Sequence, residues 1–281
     1  MKRFFKYLII FLIAISNLQA IGYSEELPLW ELGFGIAALN LPDYRGSDER
    51  HFYFLPLPYL IYRGKFLKVD KDGIYGDLFK SDRINLDLSL SAGVPVKSNG
   101  NAARSGMPDL DPTFGIGPSL GIQLYSNDTK DRVLSFRLSA RADFATDLSQ
   151  FRSVGWIINP YLNFNVRKRG SGNRWNIGIL LGPLFATEGS HDYYYEVPSK
   201  FSTPSRPAFD ARGGYSGARL AMAIRKRFGK LWMGTFGLYD NLNGAVFENS
   251  PLVKKKHSFM AGLGIVWVFA ESKTPTAENI F

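Results

Sequence analysis

The chain contains no cysteine, which excludes a disulfide framework and any thiolate metal site. It has three histidines, His51, His191 and His257, so a histidine-based hydrolase would have to be built around one of them. No apolar run after Ile21 approaches the length of about 20 residues that a membrane-spanning helix needs. If the mature chain sits in a membrane, it crosses as strands, because only helices and closed barrels can span lipid. No block of one charge sign is present either. The formal charge of +9 includes Lys2, Arg3 and Lys6, which leaves +6 spread among many acidic residues, a poor basis for binding nucleic acid.

What the sequence does have begins with a leader. Lys2, Arg3 and Lys6 precede the apolar run Tyr7 to Ile15, then come Ser16, Asn17 and a cleavage point near Ala20. This is the layout of a secretory signal peptide covering residues 1–20. An uncleaved helical anchor is the competing reading, but nine apolar residues are too few to span.

The strongest pattern lies further on. From Ile84 to Val94, the apolar Ile84, Leu86, Leu88, Leu90, Ala92 and Val94 alternate with Asn85, Asp87, Ser89, Ser91 and Gly93. The same alternation returns at Leu134, Phe136, Leu138, Ala140, Ala142 and Phe144, with Ser135, Arg137, Ser139, Arg141 and Asp143 between them. Period two with one oily and one wet face reads as a strand, and a succession of such strands reads as a transmembrane β-barrel. The 15% aromatic content and 28 glycines suit aromatic girdles and close strand contact.

We read strands at Trp30–Leu39, Phe52–Ile61, Arg83–Val94, Thr113–Leu124, Arg132–Phe144, Val154–Val166, Arg174–Ala186, Tyr215–Phe228, Leu231–Tyr239 and Lys256–Phe269. Connections at Lys168–Asn173 and Gly229–Lys230 are short, whereas Lys97–Pro112, Thr187–Gly214 and Asp240–Lys255 are long. Barrels of the bacterial outer membrane place short turns in the periplasm and long loops outside. That assignment makes Phe52–Ile61 run inward and Arg83–Val94 outward, so zero or two strands lie between them. Lys65–Val69 and Ile74–Phe79, with a turn at Asp70–Gly73, supply a short extra hairpin. The expectation is an all-β antiparallel barrel of about 12 strands, with 10 as the alternative. It occupies residues 21–269 as one domain and is followed by a polar extension at 270–281.

The last strand places Gly264, Trp267 and Phe269 in a G-x-x-aromatic-x-aromatic spacing. This resembles the closing-strand signal recognised by barrel-assembly machinery.

Specific motifs then occur in order: Tyr44-Arg-Gly-Ser-Asp48, Tyr59-Leu-Ile-Tyr-Arg-Gly64, Arg104-Ser-Gly-Met-Pro-Asp-Leu-Asp-Pro112, Gly115-Ile-Gly-Pro-Ser-Leu120, Arg206-Pro-Ala-Phe-Asp-Ala211, Gly213-Gly-Tyr-Ser-Gly217 and Asn249-Ser-Pro-Leu-Val253. Together they resemble the MltA-interacting protein (MipA/OmpV) family, over about Leu32 to Phe269. The resemblance implies a protein of the Gram-negative outer membrane and, for the namesake, a scaffold that brings a lytic transglycosylase together with a murein synthase. It does not imply an enzyme, and pore, adhesin and antigen roles also occur among members; no cofactor is expected. The segment Ala270 to Phe281 departs from the family habit of ending at the closing strand.

Candidate sites divide into loops and lumen. Asp109 and Asp111 are oxygen ligands of the kind that suit Ca²⁺ or Mg²⁺, but two aspartates are too few, and prolines with aspartates fix turns. The glycine-rich Arg206–Gly217 segment has the composition of a phosphate cradle, yet no helix stands behind it, and loop shaping is the plainer reading. Ser190-His191-Asp192 cannot act as a relay in extended geometry, because neighbours on a strand point to opposite faces. A polar loop followed by Tyr193, Tyr194 and Tyr195 at the membrane rim is expected. On this register Arg137, Arg141, Arg219 and Arg225 face the lumen with Asp87 and Asp143. An open lumen so lined favours anions, whereas paired charges fill a narrow one. The functional expectation is a non-enzymatic scaffold; the alternatives are a small anion-preferring pore or uptake channel, or a surface adhesin.

Overall fold

The computed structural model describes residues 28–63, 67–70, 73–76, 79–81, 83–147, 149–168 and 173–273. The expected leader (1–20) and most of the expected extension (274–281) lie outside them. Ten long strands carry the architecture. In chain order the strands are β1 (Trp30–Pro42), β2 (Arg50–Arg63), β3 (Leu67–Asp70), β4 (Gly73–Gly76), β5 (Phe79–Lys80), β6 (Ile84–Gly93), β7 (Thr113–Ser126), β8 (Arg132–Thr146), β9 (Phe151–Lys168), β10 (Asn173–Ala186), β11 (Gly214–Phe228), β12 (Leu231–Asn241) and β13 (His257–Glu271). Every predicted long strand is present, with bounds moved by three residues or fewer. Ten long strands are present, the alternative count, and three short ones, β3, β4 and β5, stand between β2 and β6; β3–β4 falls on the expected extra hairpin, of which residues 65–66, 71–72 and 77–78 lie outside the described residues.

One antiparallel sheet runs β4-β3-β2-β1-β13-β12-β11-β10-β9-β8-β7-β6-β5. Its two ends, β4 and β5, are separated in the chain by residues 77 and 78 alone, so Gly76 and Phe79 can stand no more than about 11 Å apart. β4 also lies against β6. The sheet therefore returns on itself as a barrel, and β13 pairs with β1 from Asn40↔Ala261 to Glu31↔Glu271.

The face the chain turns outward is apolar, as lipid requires. Phe34, Ile36, Leu181, Leu263, Trp267 and Phe269 are all at least half exposed. β13 continues through Glu271, two residues past the expected end, and Ser272 N donates to the Trp30 carbonyl.

At one end of the barrel the loops 43–49, 94–112, 187–213 and 242–256 fold together over a core of their own. It includes Tyr44, Val96, Leu110, Tyr195, Val197, Leu242, Phe247 and Leu252. The connection 147–150 opens at the same end and is short. Helix α1 (Glu188–Tyr195) lies in this cap. The Ser190-His191-Asp192 segment was expected as a polar loop leading to rim tyrosines; it is helical instead, and Tyr195 is buried in the cap core. The cause lies in β9, where Gly155 adopts φ +139 at a bulge against β8. A Cβ there would sit 2.4 Å from Thr187 Oγ1 and 2.9 Å from Ser190 N, so glycine lets the start of α1 dock on the strand.

Candidate functional site

The barrel interior is two unlike surfaces. Strands β6 to β11 present Asp87, Ser119, Ser135, Arg137, Ser139, Arg141, Asp143, Asn159, Asn163, Asn165 and Arg225, all buried. Strands β12, β13, β1 and β2 present Leu39, Leu41, Leu57, Tyr59, Ile61, Val266 and Val268, packed with Tyr53, Leu55, Trp232, Phe236 and Met260.

Five of the six proposed lumen charges, Asp87, Arg137, Arg141, Asp143 and Arg225, are buried at 6% exposure or less; Arg219 is somewhat more open. Their partners differ. Arg137 pairs with Asp87, which also accepts from Asn85 Nδ2 at 2.7 Å. Arg219 holds Asp240 through two bonds of 2.8 and 2.9 Å, and Arg45 approaches the same carboxylate at 3.1 Å. Arg141 donates to Ser89 Oγ at 3.0 Å and Ser139 Oγ at 3.2 Å. Asp143 accepts from Ser91 Oγ at 3.5 Å, and Arg225 stands opposite Asn176. At the far end from the cap, Arg227 reaches from β11 past β12 and β13 to Glu31 of β1 at 2.9 Å.

Sequence reasoning missed Asp240, Arg45, Glu31 and Arg227. Asp240 was placed in a loop but lies in β12, which runs to Asn241, and Arg45 comes from a loop with no period to read. Its signal was Asp240's fixed parity with Tyr239 and Leu238 on a strand that runs further than expected.

The loop candidates have structural partners. Asp109 accepts from Ser98 N at 2.8 Å and pairs with Lys97 at 2.5 Å, and these bonds hold its carboxyl below the usual carboxylate range. The Asp111 carbonyl accepts from Tyr193 Oη at 2.9 Å. Arg206 clamps two loops by donating to the carbonyls of Ala103, Ser105 and Phe201. His191 Nδ1 lies 2.6 Å from the Arg212 carbonyl oxygen, so that nitrogen carries the proton. Burial pushes the imidazole's pKa down. Ser190, His191 and Asp192 thus form no relay, even as a helix. Burial, reinforced by Glu196, Glu188 and Asp210, raises the Asp192 carboxyl to about 6.

The cap is tied as tightly as a small core. Tyr195 stacks on Phe247 with centroids 3.7 Å apart, its hydroxyl donates to the Arg45 carbonyl, and Tyr44 Oη donates to the Leu252 carbonyl. On β13, Gly264 falls on the inward parity, while Trp267 and Phe269 face lipid with rings 6.1 Å apart.

An apolar exterior, a returning antiparallel sheet and a charged, buried interior define a transmembrane β-barrel of the outer-membrane class. The chain belongs to the MltA-interacting protein MipA family, whose model matches residues 34–269. No curated protein matches it. Among solved structures, the β domain of the Bordetella autotransporter BrkA is similar at 14% identity, covering 87% of this chain and 100% of that one, with TM-score 0.36. A Pseudomonas aeruginosa FadL homologue is similar at 12% identity, 77% and 61% coverage and TM-score 0.27. The outer membrane protease OmpT from Escherichia coli is similar at 8% identity, 89% and 99% coverage and TM-score 0.29. At scores this low the overlays carry no weight beside the sheet's own topology.

Proposed function

We propose that this chain is a non-enzymatic barrel of the outer membrane that acts as a scaffold in cell-wall maintenance, holding a lytic transglycosylase and a murein synthase at its periplasmic end. Family membership supports the class of partner. The observation that carries the reading is the cap: four loops share one apolar core across the outer mouth, so the molecule is shut on the side where a porin is open. Ten long strands sit near the small end of the barrel series, where side chains fill the interior. Arg137 and Arg219 have carboxylate partners, as charges removed from bulk water normally do. The signal peptide belongs to the same reading, as does the role of Gly264, Trp267 and Phe269 in recognition by the assembly machinery.

Affinity capture of the crosslinked protein from purified outer membranes, followed by mass spectrometry, tests it. Murein hydrolase or synthase should be enriched; recovery of neither, with the barrel intact, overturns it. The second reading is a small anion-preferring pore, favoured by Arg141, whose hydrogen bonds go to serine hydroxyls. Planar bilayers carrying inserted protein should be silent on the first reading and show discrete anion-preferring steps on the second.

A further inference from the structure

The cations of the cap divide into those with partners and those without. Lys97 pairs with Asp109, Arg45 with Asp240, and Arg206 donates to the carbonyls of Ala103, Ser105 and Phe201. At the entrance to β13 the pattern changes. Lys254, Lys255, Lys256 and His257 are four consecutive exposed residues. Lys256 reaches Glu248 at 3.2 Å. Lys254 and Lys255 have no ion pair among the described residues, although Asp48 and Glu49 lie in the neighbouring loop.

The backbone fixes where these cations stand. Lys254 N and Lys255 N both donate to the Gly46 carbonyl, at 2.8 and 3.0 Å. Gly46 has φ +93, and a Cβ there would lie 3.0 Å from Leu242 Cδ1 and 3.3 Å from Val253 Cγ1. Glycine thus lets the loop between β1 and β2 close on the lysine segment. Arg50 leaves that loop on the outward parity of Phe52 and Phe54 and is exposed. Asn40 Oδ1 accepts from its Nε at 2.8 Å and also from its Nη2, which holds the guanidinium on the outer surface of the barrel. His257 is held by a 2.6 Å bond between Nδ1 and Tyr239 Oη, with the two rings stacked 5.9 Å apart.

Directly below this basic group the surface turns apolar. Phe52 and Phe259, two residues further along their strands than Arg50 and His257, face lipid at 74% and 56% exposure. Asn40 pairs with Phe52 on one side and with Ala261 on the other. Arg50 and Phe259, each two residues nearer the cap, therefore stand two strand spacings apart, about 10 Å. The short connections at the opposite end put the cap outside, so the cations lie at the level of the outer headgroups. Lysines and an arginine above outward aromatic rings meet one chemistry there: a lipid whose headgroup carries phosphate.

We propose that Arg50, Lys254 and Lys255, flanked by His257, bind a phosphorylated glycolipid of the outer leaflet, with its phosphates on the cations and its acyl chains along Phe52 and Phe259. Cations on two separate segments suit a headgroup with two phosphates better than a glycerophospholipid with one. This goes beyond the scaffold reading and does not depend on it.

The test titrates the full barrel in maltoside micelles, at about 0.15 M salt, with bisphosphorylated lipid A and counts bound lipid by native mass spectrometry. The proposal expects a single lipid A on each barrel, held about tenfold or more tighter than phosphatidylglycerol and not displaced by excess inorganic phosphate. Equal affinity for the two lipids overturns it, and so does displacement by free phosphate. Lys254→Gln/Lys255→Gln keeps both backbone amides on Gly46 and should weaken lipid A binding about thirtyfold, about fivefold per lysine. Arg50→Gln should weaken it about fivefold. Lys168→Gln/Lys230→Gln removes the same charge at the opposite end of the barrel and should leave the affinity unchanged. Unchanged affinity in the Lys254/Lys255 variant, or an equal loss in both double variants, overturns the site. If the Lys254/Lys255 variant does not fold, Arg50→Gln decides.

Discussion

The two halves of the inner wall solve the same problem by opposite means. From β6 to β11 the interior carries most of the buried charges and amides, with a small apolar cluster at Tyr161, Leu180, Ala221 and Ala223, and Arg137 is balanced there by Asp87. From β12 through β13 and β1 to β2 it is mainly apolar, and its buried carboxylates, Asp240 and Glu31, are paired with arginines near the two ends of the barrel. The halves meet along two borders, and the borders differ. β11 and β12 pair without interruption from Ala218↔Asn241 to Phe228↔Leu231. β2 and β6 have no ladder between them among the described residues. A wall of matched charges tolerates little change in register, because slipping by one residue turns every side chain to the other face. An apolar wall is held by packing, and β2 carries Pro56 and Pro58 within it.

The largest effect should come from unbalancing the polar half. Arg137→Leu leaves Asp87 buried beside Asn85 without its guanidinium, and such a removal costs about 3–5 kcal/mol. The double variant Arg137→Leu/Asp87→Leu should recover most of that loss, because no charge is left stranded. Urea unfolding in detergent, followed by the gel-mobility shift of the folded barrel, measures both. A double variant as unstable as the single one would show that the pair is not the unit of stability in this half.

In the apolar half, Leu39 is 1% exposed within the β1–β2–β13 cluster. Leu39→Ala removes its packing and should cost about 3 kcal/mol, within the spread for buried leucines. Unlike Arg137→Leu, it has no second substitution that restores it, which is the contrast between the halves stated as a measurement. Ile61→Val, on β2 in the same cluster, should cost about 1 kcal/mol. A markedly smaller loss at Ile61 than at Val268, equally buried on β13, would mark the β2 side as the looser part of the cluster.

Legibility followed the same division. β6 and β8 alternate so regularly that Asp87, Arg137, Arg141 and Asp143 could be placed in the lumen from parity alone. β2 reads Leu55-Pro-Leu-Pro-Tyr-Leu-Ile61, apolar on both faces, so nothing in its periodicity separates lipid side from lumen side. The apolar half was therefore invisible until β1 fixed its register through Leu39↔Tyr53 and Glu31↔Ile61. Pro56 and Pro58 were plain in the sequence, but which edge they blunt depends on which neighbour completes its ladder. The cap was unreadable for another reason: its core gathers residues from four loops 200 positions apart in places, as Tyr44 and Leu252 are, and long-range packing has no local period. α1 illustrates this, since its docking depends on Gly155 of a strand more than thirty residues upstream.

The smallest effect tests the cap that both halves support. Asp192 on α1 has its carboxyl raised to about 6 by burial and by Glu196, Glu188 and Asp210, against about 3.9 in an unfolded chain. The folded state therefore binds this proton more tightly. Its contribution to cap stability is fully present below about pH 4 and is lost as pH rises through about 6. His191 acts in the opposite sense: burial lowers its pKa, so its contribution is present above the unfolded value of about 6.5 and is lost as pH falls through its lower folded one. The wild-type curve is the sum of the two, and Asp192→Asn separates them by removing one. Hydrogen exchange of the Val197 amide, which donates to the Phe209 carbonyl within the cap, should show wild-type protection falling relative to Asp192→Asn between about pH 4 and 6. Parallel curves for the two proteins across that window would mean that the acidic face of α1 is solvated well enough to carry its charges without strain on the cap.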